Sequence, residues 1–407
     1  MSGIGYNGRI GLSPGFSLMG QLARRNGALD VYPLNAENSQ FFFSARYALS
    51  GAIRALGMRT GDSVLIPSYS CGTEIDPFLD QQVGVGFYRI RKDTSIDLED
   101  MAERIDHTTR AILVTHYIGF PQQIEAVKRV CAEKGLLLIE DCAHAFLSEY
   151  NGSNVGTFGD ASIFSLRKTL PIPNGGVLVV NNPGFGCKEV LVRPWTLSIS
   201  SCLMAMELLK EKTGKGSGRG LSYLRRIRRN SLSAFENLLR LTARVGRKLS
   251  PQRVGAALVH PNSYEFRGEM RSWGISRLAM RIIKRSDLRG IRQARRRNYE
   301  HLLAMVSGTD GAVTVFDDLP PGVCPLFFPM VVEGREEVVE GLRARGVKSY
   351  AWWRFMHDAV PWTEFPDAAF LKTHILGLPV HQDLDMDHME RIGREVREIL
   401  ESRSLQR

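Results

Sequence analysis

Between Ser44 and Asn181, short runs that are apolar throughout alternate with segments of helical periodicity, and few architectures accept that pattern. Runs such as AILVT and LLLIE do not alternate polar with apolar residues. A strand without a polar face must be covered on both sides, as it is in a parallel sheet layered between helices. The pattern predicts strands at Val64 to Pro67, Val85 to Ile90, Ala111 to His116, Leu136 to Glu140, Ala161 to Leu166 and Gly176 to Val180. Helices are predicted at Ala45 to Leu56, around Asp97 to Arg104 and at Ile124 to Lys134. Residues 1–181 thus read as a large α/β domain built on a doubly wound, mostly parallel sheet.

The rhythm breaks at residues 182–260, where GKGSGRG and LRRIRR interrupt it, and this stretch reads as an insertion. From Lys188 to Arg253 there are fifteen Lys and Arg against four Glu, so the net charge of +10 resides almost wholly there. At ~100° per residue, Leu232, Phe235, Leu238, Leu239, Leu241, Val245 and Leu249 share one helical face, with Arg240, Arg244, Arg247 and Lys248 opposite. Such a basic amphipathic helix suits either packing on the enzyme body or peripheral contact with an anionic membrane through residues 217–250. Residues 261–407 read as a small α+β lobe. Its helices are predicted at Asp287 to Val306, Glu336 to Arg345 and Asp387 to Leu400, and its strands at Val313 to Phe316 and Phe327 to Val332.

The six cysteines show no paired spacing and no neighbouring histidine cluster, which predicts no structural metal and a reduced compartment. The first residues, MSGIGYNGRIGLSPGF, do not read as a signal peptide, and no apolar run approaches the ~18 residues of a membrane span. A cytoplasmic chain, peripheral at the inner membrane face if the basic helix meets lipid, is expected.

In a parallel sheet, ligands gather beyond the carboxyl ends of the strands. Three places qualify. In LLLIEDCAHAF, Asp141 follows an apolar run and His144 lies three residues on; a carboxylate there suits a metal, a structural cap or a cofactor nitrogen. In ASIFSLRKTLPIPNGG, Lys168 follows a strand beside Arg167, where a lowered pKa would suit Schiff-base chemistry, although most lysines are solvated. In FFFSARYAL, Ser44 precedes a helix whose N-terminus could bind a phosphate; plain helix capping by Ser44 is the other reading.

Taken with SARYALSGAIRALGMRTGDSVLIPSYS, RAILVTHYIGFPQQIEAV, GLLLIEDCAHAFLSEYNGSNVGTFGDASIFS and the pair Gly175 and Gly176, the chain resembles the DegT/DnrJ/EryC1/StrS family of pyridoxal-phosphate (PLP) aminotransferases. The resemblance implies an aspartate-aminotransferase-like fold (fold type I) and a homodimer. It implies an amino transfer, from a donor such as glutamate, to a nucleotide-linked keto-sugar in glycan precursor synthesis. By resemblance, Lys168 is the Schiff-base lysine and proton carrier, Asp141 pairs with the pyridine nitrogen, and His144 meets the 3-hydroxyl. Ser165, Ser44 and the amides of Ala45 and Arg46 hold the phosphate.

Some positions depart from the family pattern. Only two residues separate Ser165 from Lys168, Cys71 stands where many members stack an aromatic ring, and MRSWGISRLAM lacks the asparagine that many members lend to the partner's phosphate site. Trp353 and Arg354, in YAWWRFMHD, are candidate substrate contacts, with core packing the other reading for the tryptophans. Other classes are disfavoured. Gly184 and Gly186 lack the third glycine of a dinucleotide fingerprint, and RRIRRN and RQARRR come without any nucleic-acid motif. A PLP-fold protein acting on a non-sugar substrate, or a non-catalytic membrane-surface scaffold, is the alternative to a sugar aminotransferase.

Overall fold

The structure is a computed structural model that describes Ile10 and residues 30–186, 189–193, 266–311 and 313–404. The basic amphipathic helix expected within residues 217–250 lies outside the described residues. Among the described residues, no helix is long and apolar enough to cross a membrane.

Seven strands form the main sheet: β1 (Ser39–Phe42), β2 (Ser63–Pro67), β3 (Gly84–Tyr88), β4 (Thr109–Thr115), β5 (Leu137–Asp141), β8 (Ala161–Ser165) and β9 (Gly176–Val180). Their spatial order is β1-β9-β8-β5-β4-β2-β3. Strands β3, β2, β4, β5 and β8 pair in parallel, with Thr115 opposite Asp141 where β4 meets β5. Ala111 to Val114 are fully buried, as a strand covered on both faces requires. β9 runs antiparallel to β8, and β1 antiparallel to β9. Sequence pattern did not mark β1: SQFF is half-buried along most of its length and too short to show a period.

Helices α1 (Ala45–Ala55), α2 (Leu98–Glu103) and α3 (Ile124–Lys134) accompany the strands near their expected positions. Local chemistry sets their ends. Asp97 accepts from the Asp100 N–H at the start of α2, and Gly135, at φ 67, ends α3 in the left-handed conformation that glycine adopts without penalty. A minor hairpin, β6 (Glu149–Tyr150) and β7 (Ser153–Asn154), stands apart from the main sheet.

Residues 266–283 attach to the large lobe, although the C-terminal lobe was expected to begin at 261. Gly274 bridges Phe42, Met270 and Trp273 join the large core, and Ile282 and Ile283 of α4 (Arg277–Ile283) pack in a cluster with Leu166 and Ile172. The small lobe proper starts with α5 (Leu288–Val306), capped by Asp287. Around it stand a four-stranded antiparallel sheet, helices α6 (Arg335–Ala344), α7 (Pro366–His374) and α8 (Met386–Ser404), and a core of Tyr299, Phe328, Leu342, Leu376 and Ile392. The sheet order is β10-β11-β13-β12, from β10 (Val313–Thr314), β11 (Phe328–Val331), β12 (Tyr350–Ala351) and β13 (Ile375–Leu378). Arg295 on α5, 1% exposed, joins the lobes by donating to the carbonyls of Pro325, Leu326 and Thr169.

Candidate active site

The carboxyl ends of β2, β4, β5 and β8, the N-terminus of α1 and a small-lobe loop converge on one cleft. That is the place of a small-molecule site in an open α/β sheet. Lys168, Asp141, His144 and Ser165 all line it, together with Ser44, Ala45, Arg46, Cys71 and Trp353. The same sequence-derived set contains one residue that the cleft does not receive. Arg354 is exposed and turns onto Glu336 of α6, with Nε donating to Oε1 at 3.2 Å.

Asp141 is the last residue of β5 and is held by the Ala143 N–H, which donates to its Oδ1 at 2.8 Å. Burial and the nearby Glu74 carboxylate push its pKa up to about 6, against the pull of Lys168. A carboxylate so placed gains from any positive partner brought within reach. Lys168 closes a single turn, Leu166–Lys168, that follows β8 directly, so two residues suffice to carry the chain from Ser165 to the lysine. Burial lowers the Lys168 pKa, Arg167 adds to the effect, and Cys71 and Asp141 oppose it. His144 is held well below its usual value, first by burial and then by Lys168, so its ring is neutral. The Ile118 N–H donates to Nδ1 of His144 at 3.5 Å, which leaves the proton on Nε2.

The other end of the cleft suits an anion. Ser44 occupies the N-cap of α1 in extended backbone (φ −151, ψ 167), yet its hydroxyl makes no capping bond. No acidic residue stands in the first turn to satisfy the positive end of the helix dipole. Gly176 brings β9 up against that turn: a Cβ there would lie 2.3 Å from the Ser44 carbonyl carbon and 2.5 Å from the Ala45 nitrogen. This close approach accounts for a glycine following Gly175. Arg46 and Arg167 both line the cleft, and their mutual repulsion, added to burial, brings Arg167 down to about 10. A phosphate dianion would relieve that repulsion. The Thr115 hydroxyl, also on the cleft, is buried without a hydrogen-bond partner among the described residues. A flat cofactor with a basic ring nitrogen at one end and a phosphate at the other fits this donor set.

Sequence reasoning missed Glu74. The residue is 4% exposed and accepts from the Cys71 N–H at 3.1 Å and the Cys71 thiol at 3.0 Å. Burial and that carboxylate push the Cys71 thiol up to about 12, so it is a neutral group. The signal was present, since Glu74 stands in the polar stretch that follows β2. Among the described residues, His116, Glu140 and Cys142 lie close enough together to share a metal ion, but hydrogen bonds already occupy His116 and Glu140. His116 Nδ1 accepts from the Gln122 N–H, so Nε2 donates to Glu140, whose oxygens also take the N–H groups of Gly156, Phe158 and Gly159.

Residues 35–194 match the profile of the DegT/DnrJ/EryC1/StrS aminotransferase family. The GDP-perosamine synthase of Vibrio cholerae is 35% identical over 138 residues, which are 33% of this chain and 38% of that protein. The dTDP-4-dehydro-2,3,6-trideoxy-D-glucose 4-aminotransferase of Saccharopolyspora spinosa is 33% identical over 153 residues, 37% of this chain and 40% of that one. The alignments thus span well under half of these curated relatives. Solved structures align over nearly the whole chain. The aminotransferase TlmJ from Streptoalloteichus hindustanus matches with TM-score 0.63 at 20% identity, covering 94% of this chain and 93% of its own. Helicobacter pylori PseC, an aminotransferase involved in pseudoaminic acid biosynthesis, matches with TM-score 0.63 at 18% identity, covering 97% and 100%. The fold is therefore that of the fold type I aminotransferases, as the resemblance implied.

Proposed function

We propose, from the match of residues 35–194 to the DegT/DnrJ/EryC1/StrS aminotransferase family, that this protein is a PLP-dependent aminotransferase acting on a keto-sugar carried by a nucleotide. The observation that carries the reading is the meeting of Lys168 and Asp141 in one cleft whose far end, at Ser44 and α1, is built for an anion. Bound PLP would supply an aldehyde for amine exchange and a ring that accepts electrons. Asp141, buried beside the Glu74 carboxylate, would hold a proton on the ring nitrogen. The lowered pKa of Lys168 would make its amine available to hold the cofactor as a nucleophile and to serve as a base for proton transfer in the site. Ser44, Ser165, Arg46 and the α1 amides would hold the phosphate, and neutral His144, with its proton on Nε2, would donate to the ring hydroxyl. Cys71 contributes a neutral wall.

The sugar substrate is supported by the relatives, whose names include a GDP-perosamine synthase and a dTDP-sugar 4-aminotransferase. Borohydride reduction of the PLP-loaded protein followed by peptide mapping tests the central assignment, and an adduct on any lysine other than Lys168 overturns it. A mass-spectrometric screen of nucleotide keto-sugars, with glutamate as donor, tests the substrate class. The protein acts as a homodimer in this reading, which light scattering checks. For residues 217–250, peripheral contact with anionic membrane requires co-sedimentation with anionic vesicles that falls with salt and vanishes on deletion of the segment. Absence of such binding at low salt reassigns the segment to packing on the protein.

A further inference from the structure

Apart from His144, Trp353 is the single aromatic ring among the described residues that line the cleft, and it comes from the small lobe. Its backbone has φ 51, in the left-handed region that a bulky side chain enters only when its surroundings impose it. The ring is nevertheless 8% exposed, set 5.2 Å from the His144 ring and 4.8 Å from the Tyr69 ring.

Two buried cations hold this loop. Lys372 on α7, 2% exposed, donates from Nζ to the Phe355 carbonyl at 2.6 Å, its only hydrogen bond among the described residues. The same ammonium lies 5.5 Å from the Trp353 ring centroid and 5.2 Å from that of Trp362, within cation–π range of both. Arg335 donates to the carbonyls of Trp352 and Lys372, at 3.1 and 2.6 Å, and so ties the loop to the helix that carries the lysine. On its other side the loop rests on the large lobe. Gly72, at φ 88, would place a Cβ 3.0 Å from both His357 and Phe355, and His357 Nε2 stands 3.3 Å from Asp76 Oδ1. An ammonium buried with a single carbonyl is costly to keep. Here it fixes the stretch that turns Trp353 inward.

We propose that Trp353 is the aromatic wall against which the cofactor's ring packs, supplied by the small lobe where Cys71 offers none, and that Lys372 is the positioning residue that holds it there. This rests on the PLP reading above. A flat aromatic ligand needs an apolar face as well as polar edges, and the rest of the cleft is mainly polar or small side chains.

The test titrates the cofactor-free full-length protein with PLP and follows tryptophan fluorescence, the absorption of bound cofactor and the borohydride-trapped adduct. Trp353→Phe keeps a ring and should bind within about threefold of wild type, while losing the share of quenching that Trp353 contributes. Trp353→Ala should bind about tenfold more weakly, with an altered absorption band. Lys372→Gln and Lys372→Met should weaken binding similarly and reduce quenching per bound cofactor, and Lys372→Gln should add little in the Trp353→Ala background. Should the lysine serve folding alone, its variants would lower Tm yet quench as wild type does, and the positioning role falls. Wild-type affinity, spectrum and quenching in Trp353→Ala overturn the wall. In either case the adduct on Lys168 still forms, whereas no adduct in wild type overturns the proposed function itself and this inference with it.

Discussion

The large-lobe side of the cleft rests on strand ends, whereas its small-lobe side rests on a loop held by side chains from two other places. On the first side, Asp141 and Ser165 end strands of the same parallel sheet, and Lys168 follows within one turn. Ladder hydrogen bonds between β4, β5 and β8 set their spacing. On the second side, Trp353 depends on Lys372, Arg335 and the Gly72 turn, each distant in sequence. Positions set by a ladder tolerate change around them; positions set by single side chains do not.

The comparison breaks most readily at Lys168. Lys168→Ala should still bind PLP but lose turnover by about 10⁴-fold or more, since nucleophile and proton carrier disappear together. Single-turnover assays check this, and a loss below about tenfold would remove Lys168 from the chemistry.

Asp141→Asn should lose about 10²–10³-fold in kcat, because an amide cannot hold the ring proton. It also carries a stability signature. The folded pKa of Asp141, about 6, lies above its ordinary value of 3.8. The protonated carboxyl is therefore favoured by folding, and the advantage is present below the unfolded pKa and lost as pH rises through about 6. Without cofactor at pH 7, Asp141→Asn should be more stable than wild type by up to about 3 kcal/mol. Melting curves across pH 4–7 should show the two converging at the acid end. A cofactor-free wild type as stable as the variant at pH 7 would contradict the strained carboxylate.

Glu74→Gln should shift the same balance less. Removing the negative neighbour brings the Asp141 pKa down, so the difference between pH 4 and pH 7 should shrink relative to wild type. An unchanged pH dependence would mean that burial alone raises Asp141.

The smallest effect belongs to Arg354, next in sequence to Trp353. Its ion pair with Glu336 is exposed on both sides, so Arg354→Ala should cost at most about 1 kcal/mol and leave kcat/KM within about twofold. A larger kinetic loss would bring the loop's outer face into substrate binding.

Adjacent residues with such different fates mark the limit of reading from sequence. Trp353 and Arg354 stood together as substrate candidates on residue type alone, and nothing in YAWWRFMHD distinguishes them. The left-handed backbone at Trp353 turns one ring inward and leaves the next side chain on Glu336. Glu74 was missed because a carboxylate two residues past a glycine reads as a solvated turn, and only its burial and its bonds to Cys71 distinguish it. Likewise SQFF could not announce β1, whose partner β9 comes more than 130 residues later.

By itself the sequence determined the parallel core and most of its order of strands and helices, and it marked Asp141, His144 and Lys168 as candidates beyond strand ends, while Ser165 came with the family resemblance. The core follows from periodicity, and the candidates from short offsets past apolar runs, which backbone geometry converts into positions near a sheet edge. Only the tertiary structure decided that β9 reverses, that residues 266–283 attach to the large lobe, and that Lys372 reaches the loop beside the cleft. Those outcomes depend on packing between segments far apart in the chain, where burial and hydrogen-bond satisfaction of whole surfaces select the partner and local pattern carries no trace of it.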